Sequence, residues 1–209
     1  MFLVTGGAGF IGSHLVERLL TRGEKVLCLD DFNDFYDPMT KRRNIAGHLG
    51  SENYQVIEGD IRDVGLLNRT FSQFPIEKII HLAARAGVRS SLDQPMLYED
   101  VNVRGTMNLL EMARRHHVEQ FVFASSSSVY GGNTEIPFRE SDRISRPISP
   151  YAATKYAGEL MCYTYHHLYG IPTTCLRFFT VYGPRQRPDM AIHKFTRLIY
   201  KGQADSVFR

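Results

Sequence analysis

The 209-residue chain has only three cysteines, Cys28, Cys162 and Cys175, and none belongs to a C-x-x-C pair. An odd, scattered set argues against a disulfide framework and fits a reducing, cytoplasmic setting. No apolar run approaches the roughly 20 residues of a membrane span. Neither sign of charge dominates: 25 Lys+Arg against 22 Asp+Glu leave +3 at pH 7. That balance gives no reason to expect nucleic acid or an anionic membrane as a partner. Internal repeats and low-complexity tracts are missing too. A strand pattern already under way at Phe2 leads us to expect no signal peptide. What is present is ordinary soluble composition, 43% hydrophobic and 22% charged. The length allows a sizeable core without disulfides or structural metals, in one domain or one domain plus part of a second.

Short apolar runs alternate with helix-patterned segments along the whole chain. Phe2–Val4, Lys25–Asp30, Tyr54–Ile57, Lys78–His81, Phe121–Ala124 and Thr173–Phe178 read as six strands. Ile11, Leu15, Val16, Leu19 and Leu20 recur at helical spacing, and further helices are expected near 96–116, 151–169 and 190–201. This rhythm predicts an α/β doubly wound parallel sheet covered on both faces, with ligands bound at the strand C-termini. Residues 131–150, rich in Gly, Pro, Ser and charge, read as a long loop. The alternation stops soon after the helix pattern at 190–201 without closing a second lobe, so a fragment or truncated product is expected.

Between the first strand and the first helix lies Thr5-Gly6-Gly7-Ala8-Gly9-Phe10-Ile11-Gly12. Gly6, Gly9 and Gly12 form G-x-x-G-x-x-G, and Gly7, Gly9 and Gly12 also satisfy G-x-G-x-x-G. A tight turn, close approach of backbone to a pyrophosphate and close helix–sheet packing each remove a Cβ. The helix N-terminus then offers free N–H groups to phosphates. Asp30 closes the second strand, where a carboxylate accepts from both ribose hydroxyls and repels a 2′-phosphate, so NAD is expected rather than NADP. Lys41, Arg42 and Arg43 read as a solvated helix face.

Ser149-Pro150-Tyr151-Ala152-Ala153-Thr154-Lys155 contains Tyr-x-x-x-Lys at the start of a helix, with both side chains on one face. A free tyrosine titrates near ~10, and a neighbouring ammonium is expected to pull Tyr151 down. The fifth strand runs into Ser125-Ser126-Ser127-Ser128-Val129-Tyr130-Gly131, where a hydroxyl can donate to a substrate oxygen. There is no G-x-S-x-G elbow, which argues against a hydrolase. His116-His117 and His166-His167 are adjacent pairs that cannot share a helical face, so no metal site is expected.

Together these segments resemble the extended short-chain dehydrogenase/reductase family, and within it the nucleotide-sugar epimerases. TGGAGFIGSH, LCLDD, GDIRD (59–63), HLAA (81–84), NVRGT (102–106), SSSSVYG and SPYAATKYAGE follow in the family's order over the whole chain. The resemblance implies a Rossmann-type NAD domain over 1–178 and, over 179–209, the incomplete start of a nucleotide-sugar lobe. It implies that Gly6, Gly9, Phe10, Ile11 and Gly12 hold the pyrophosphate and that Asp30 and Asp31 hold the adenosine ribose. Asp60 and Ile61 flank the adenine, and Leu82, Ala83, Ala84, Asn102 and Phe178 lie on the cofactor side. Ser126, Tyr151 and Lys155 form the triad, with Tyr151 as acid/base and Lys155 on the nicotinamide ribose.

Family dehydratases and decarboxylases carry acids where this chain has Ser127 and Ser128. Epimerisation remains, by transient C4 oxidation to a 4-keto sugar and hydride return. Arg177–Pro184 with Arg187-Pro188-Asp189-Met190 resembles the UDP-glucuronate 4-epimerase signature, departing from it at Arg185-Gln186. Ser127, Ser128, Thr180 and Arg185 are expected around the sugar. UDP-glucose or UDP-N-acetylglucosamine 4-epimerase, a net dehydrogenase or reductase, and an NAD-binding fragment without turnover stay open as alternatives. A homodimer through the helices near 96–116 and 151–169 follows from the resemblance.

Overall fold

A computed structural model describes residues 1–133 and 135–203. Six parallel strands, β1 (Phe2–Thr5), β2 (Val26–Asp30), β3 (Tyr54–Glu58), β4 (Lys78–His81), β5 (Gln120–Ser126) and β6 (Thr173–Phe178), form one sheet in the order β3-β2-β1-β4-β5-β6. The order reverses between β1 and β4. Thr5, at the end of β1, pairs with Leu29 on one side and His81 on the other. A crevice opens at such a switch point beyond the strand ends.

Alternate residues of the central strands enter opposite cores. Leu3, Leu27, Leu29 and Ile79 pack with Phe121 and Phe123 under α3 (Val64–Gln73), α6 (Gly105–Arg115) and α7 (Pro150–Tyr169). Val4, Val26 and Cys28 pack under α1 (Phe10–Thr21) and α2 (Pro38–Ala46). Burial on both faces explains why these strands read as continuous apolar runs.

Helix ends follow local chemistry. Asp37 accepts from the Met39 N–H ahead of α2, with Pro38 in its first turn. Asp63 accepts from Leu66 N–H ahead of α3. Ser149 accepts from Ala152 N–H at 3.1 Å ahead of α7, which ends at Gly170 with φ +68°. Each such bond satisfies a donor the helix itself cannot. Gly9 caps α1 without a side chain, so the first amides of α1 keep their donors for the crevice. α7 lies so close to β5 that a Cβ on Gly158 would overlap the Phe123 ring. Gly158→Ala is expected to cost about 1–3 kcal/mol, read as a lower urea midpoint.

The single helix expected over 96–116 is broken. The chain forms α4 (Val88–Asp93) and α5 (Pro95–Glu99), then a π-helical turn over Asp100–Arg104 that leads into α6. At that turn the Asn102 side chain is committed to tertiary partners, a feature periodicity does not register. Residues 131–149 carry no strand or helix among those described, yet they are anchored. Tyr130 stacks on Phe138 at 4.8 Å, and Val129, Tyr130 and Ile144 form a small core. Downstream, α8 (Ala191–Tyr200) matches the expected helix and has no buried residue. Residues 204–209, the last of the stretch expected to begin a second lobe, lie outside the described residues.

Candidate active site

A cavity of about 540 Å³ runs along the C-terminal edge of the sheet across the switch point. At its centre is the glycine loop, with Gly6, Gly9, Phe10, Ile11 and Gly12 all on the wall. A Cβ on Gly12 would overlap the Gly6 carbonyl and reach within 2.7 Å of Gly7 Cα. Gly6 has φ +69°, and a Cβ there would come within 2.7 Å of Ala83 N. The loop therefore touches the end of β4, where Leu82, Ala83 and Ala84 form the facing wall. The wall of bare backbone and free helix amides suits a phosphate diester.

At the β2–β3 end, Asp30 and Asp31 line the cavity, as do Asp60 and Ile61. Asp30 is 4% exposed. It accepts from Ala8 N–H, Phe32 N–H and Lys41 Nζ at 3.0–3.2 Å. Lys41 also lies 3.5 Å from Asp31. Lys41 is thus buried on the cavity wall, correcting the expectation of a solvated face; Arg42 and Arg43 are exposed as expected. Burial pushes the Asp60 carboxyl up, but hydrogen bonds from Arg62 outweigh it and hold the group below the usual carboxylate range.

At the β5–β6 end, Ser126, Ser127, Ser128, Tyr151, Lys155, Phe178 and Thr180 share the wall. Lys155 Nζ donates to the Ala124 carbonyl at 2.7 Å and lies 4.9 Å from the Phe123 ring centroid. Burial lowers its pKa to about 8. Tyr151 packs edge-on against Tyr98. Burial raises the Tyr151 phenol, while the Ser126 hydroxyl and the Arg187 guanidinium act downward. The expected depression of Tyr151 by Lys155 is absent because burial dominates and the ammonium is turned toward a carbonyl. The phenol is held in its acid form at neutral pH.

Two expected site residues lie elsewhere. Asn102 does not line the cavity. Its amide accepts from Arg85 N–H at 2.8 Å and donates to the Arg85 carbonyl and Thr154 Oγ1, at 3.0 and 3.1 Å. It secures the cavity wall from behind. Arg185, expected at the sugar, turns away with φ +67°. Its guanidinium donates to Glu17 at 2.8 Å and to Ser13, while His14 donates to the Pro184 carbonyl at 2.9 Å. These contacts strap residues 184–185 onto α1. Arg187, two residues on, reaches the cavity instead, stacked 4.9 Å over Phe35 and paired with Asp189 at 2.9 Å. The signal was the arginine pair around the Gln186 turn, but local sequence cannot say which of the two faces inward. Lys41, Phe35, Tyr36, Arg85 and Met190 are further lining residues the sequence reading missed.

The carboxylates on the cavity wall are Asp30, Asp31 and Asp60, all at the β2–β3 end. Among the described lining residues, Tyr151 has no acidic neighbour to assist an elimination. No group of three potential metal ligands occurs among the described residues, and no described helix is long and apolar enough to cross a membrane.

Residues 3–207 match the family described as GDP-mannose 4,6 dehydratase. UDP-glucuronate 4-epimerase 3 of Arabidopsis thaliana is 52% identical over 207 residues, 99% of this chain and 48% of its own length. The UDP-glucuronic acid 4-epimerase of Bacillus cereus, solved with UDP-glucuronic acid and NAD, superposes with TM-score 0.88 at 38% identity, over 97% of this chain and 63% of that one. The UDP-glucose 4-epimerase of Thermus thermophilus, solved with NAD, gives TM-score 0.87 at 38% identity, over 98% and 64%. The chain spans about half the length of the plant relative and less than two thirds of the two solved ones.

Proposed function

Because the chain belongs to the GDP-mannose 4,6 dehydratase family, within the extended short-chain dehydrogenases/reductases, we propose that it is the NAD-binding, catalytic part of a UDP-hexose 4-epimerase whose substrate is UDP-glucuronate. The observation that carries this reading is the single cavity joining the glycine loop, Asp30 and the Ser126–Tyr151–Lys155 cluster. Residues 1–178 are the cofactor unit and 179–209 begin the sugar-nucleotide lobe. The bare backbone at Gly6 and Gly12 fits a pyrophosphate, and the remaining acceptor capacity of Asp30 fits a ribose diol. Leu82, Ala83, Ala84 and Phe178 wall the path toward the nicotinamide end.

Bound NAD would supply reversible two-electron oxidation at the sugar C4. Tyr151, as its phenolate, takes the proton of the C4 hydroxyl and later returns it. Ser126 donates to the same oxygen and orients it, while Lys155 would hold the nicotinamide ribose. Because burial keeps the proton on Tyr151, that proton must first leave to solvent, and the positive charge of a bound oxidised nicotinamide would favour the resulting phenolate. Ser127, Ser128, Thr180 and Arg187 offer neutral and charged donors suited to a hexuronate carboxylate. The lack of an acid at Tyr151 favours epimerisation over dehydration.

Product analysis after incubation with NAD and UDP-glucuronate, UDP-glucose or UDP-N-acetylglucosamine tests the proposal. UDP-glucuronate is expected to convert to its C4 epimer with no net NADH accumulation; stoichiometric NADH would mean a dehydrogenase instead.

NADH is expected to bind at least about 10-fold more tightly than NADPH, a discrimination of about 1.4 kcal/mol. Asp30→Ser is expected to erase that preference, because the repelling carboxylate goes and Lys41 remains to meet a 2′-phosphate. Fluorescence titration with both dinucleotides reads the change. For assembly, exposed Met96 on α5 and exposed Leu160, Tyr163 and Leu168 on α7 support a homodimer, checked by sedimentation. Three free cysteines support a reducing, cytoplasmic compartment.

A further inference from the structure

His81 ends β4 at the switch point, 1% exposed, and takes no part in the proton transfers above. Both of its ring nitrogens are bonded to threonines: Nδ1 to Thr5 Oγ1 at 2.7 Å and Nε2 to Thr106 Oγ1 at 2.9 Å. The neighbouring carbonyl fixes the direction of each bond. Thr106 Oγ1 lies 2.5 Å from the Asn102 carbonyl, which can only accept, so its single proton is spent there. It must then accept from His81 Nε2–H. A neutral imidazole with Nε2 protonated carries a bare Nδ1, which accepts the Thr5 hydroxyl proton. Thr5 Oγ1 in turn accepts from Ala83 N–H at 3.2 Å. One oriented chain thus runs from Ala83 N–H through Thr5, His81 and Thr106 to the Asn102 carbonyl.

One end of this chain is a wall of the cavity and the other stands behind it. Ala83 faces the glycine loop, close enough that a Cβ on Gly6 would strike its backbone nitrogen. Asn102 grips both backbone polar groups of Arg85 and the Thr154 hydroxyl, which donates to the Tyr151 carbonyl. We infer that His81 is a positioning residue: locked as its neutral Nε2–H tautomer, it holds the 82–85 wall at a set distance from the glycine loop and ties that wall to the helix bearing Tyr151. The inference rests on the dinucleotide reading of the cavity and deepens it.

The surroundings keep the ring neutral. Phe121 and Phe123 lie 6.0 and 5.7 Å from it, and Lys155 is the charged group that acts on it. Burial first, and that ammonium second, disfavour the imidazolium and lower the pKa to about 3. A protonated ring would need two acceptors, and Nδ1–H would face a hydroxyl that already accepts Ala83 N–H.

Two measurements on the whole chain test this. In a ¹⁵N-histidine spectrum, one imidazole is expected to be protonated at Nε2 alone, unchanged from about pH 5.5 to 8.5, and to shift in Thr106→Val. NADH titration is expected to show at least a tenfold weaker Kd in Thr5→Val and Thr106→Val, as each leaves buried polar groups unpaired. Thr70→Val removes an equally buried hydroxyl from α3, away from the cavity, and is expected to bind NADH like the unaltered chain. A cationic or Nδ1–H ring affected by Thr106→Val overturns the inference. So do threonine variants that bind NADH within twofold of the unaltered chain, or a Thr70→Val loss equal to theirs. An unaltered chain that binds no NADH overturns the dinucleotide reading itself, a result distinct from either failure.

Discussion

Tyr151→Phe is expected to lower kcat for epimerisation by at least about 100-fold while leaving NADH affinity within a few-fold. The substitution removes one oxygen and keeps the ring. Edge-on packing against Tyr98, with centroids 6.1 Å apart, survives, and so does the start of α7 capped by Ser149. What is lost is the group proposed to take and return the C4 proton, a contribution of about 10²–10⁴ for a positioned acid–base. No other described lining residue can substitute at that place. The carboxylates sit at the far end of the cavity, and Lys155 Nζ is engaged with the Ala124 carbonyl. Initial rates with UDP-glucuronate, beside an NADH titration of the same preparation, check both halves. Turnover close to that of the unaltered chain would remove Tyr151 from the mechanism.

Gly12→Val acts at the opposite end of the chemistry and is expected to bring NADH binding below detection, a loss of more than about 100-fold. The added Cβ would overlap the Gly6 carbonyl oxygen, come within 2.7 Å of Gly7 Cα and within 2.9 Å of the Gly6 carbonyl carbon. Every one of these is a backbone atom in the loop that faces the proposed pyrophosphate, so no flexible side chain can yield. Either the loop moves or α1 lifts from the sheet, and both misplace the amides that would meet phosphate. Gly47→Ala provides the contrast. It sits at the end of α2 with φ −68° and open space around its Cβ position, so it is expected to leave NADH binding unchanged. Circular dichroism on both proteins separates loss of binding from loss of fold. Undiminished binding by Gly12→Val would show that the loop does not cradle the dinucleotide.

The six strands, the glycine loop and the Tyr151–Lys155 pair were all legible in the residues, because each is a local pattern. A strand buried on both faces is a short apolar run, and residues four apart on a helix share a face whatever surrounds them. Side-chain commitments to distant partners were not legible. Lys41 belongs to a helix whose neighbours Arg42 and Arg43 are exposed, and it turns inward because Asp30 and Asp31 lie 3.1 and 3.5 Å from its ammonium. Arg185 and Arg187 are two residues apart with identical side chains. Only the contact with Glu17 and Ser13, on a helix at the far end of the chain, decides which one lies against α1 and which one reaches the cavity.

The residue pattern by itself therefore determined the architecture and the places of the glycine loop and of the Tyr151–Lys155 pair, since these depend on spacing along the backbone. Tertiary structure alone decided the break in the 96–116 helix, the task of Asn102, the inward arginine and the raised pKa of Tyr151. Those depend on burial and on contacts between residues as far apart as Ser13 and Arg185, and desolvation is a property of the packed whole rather than of any stretch of chain.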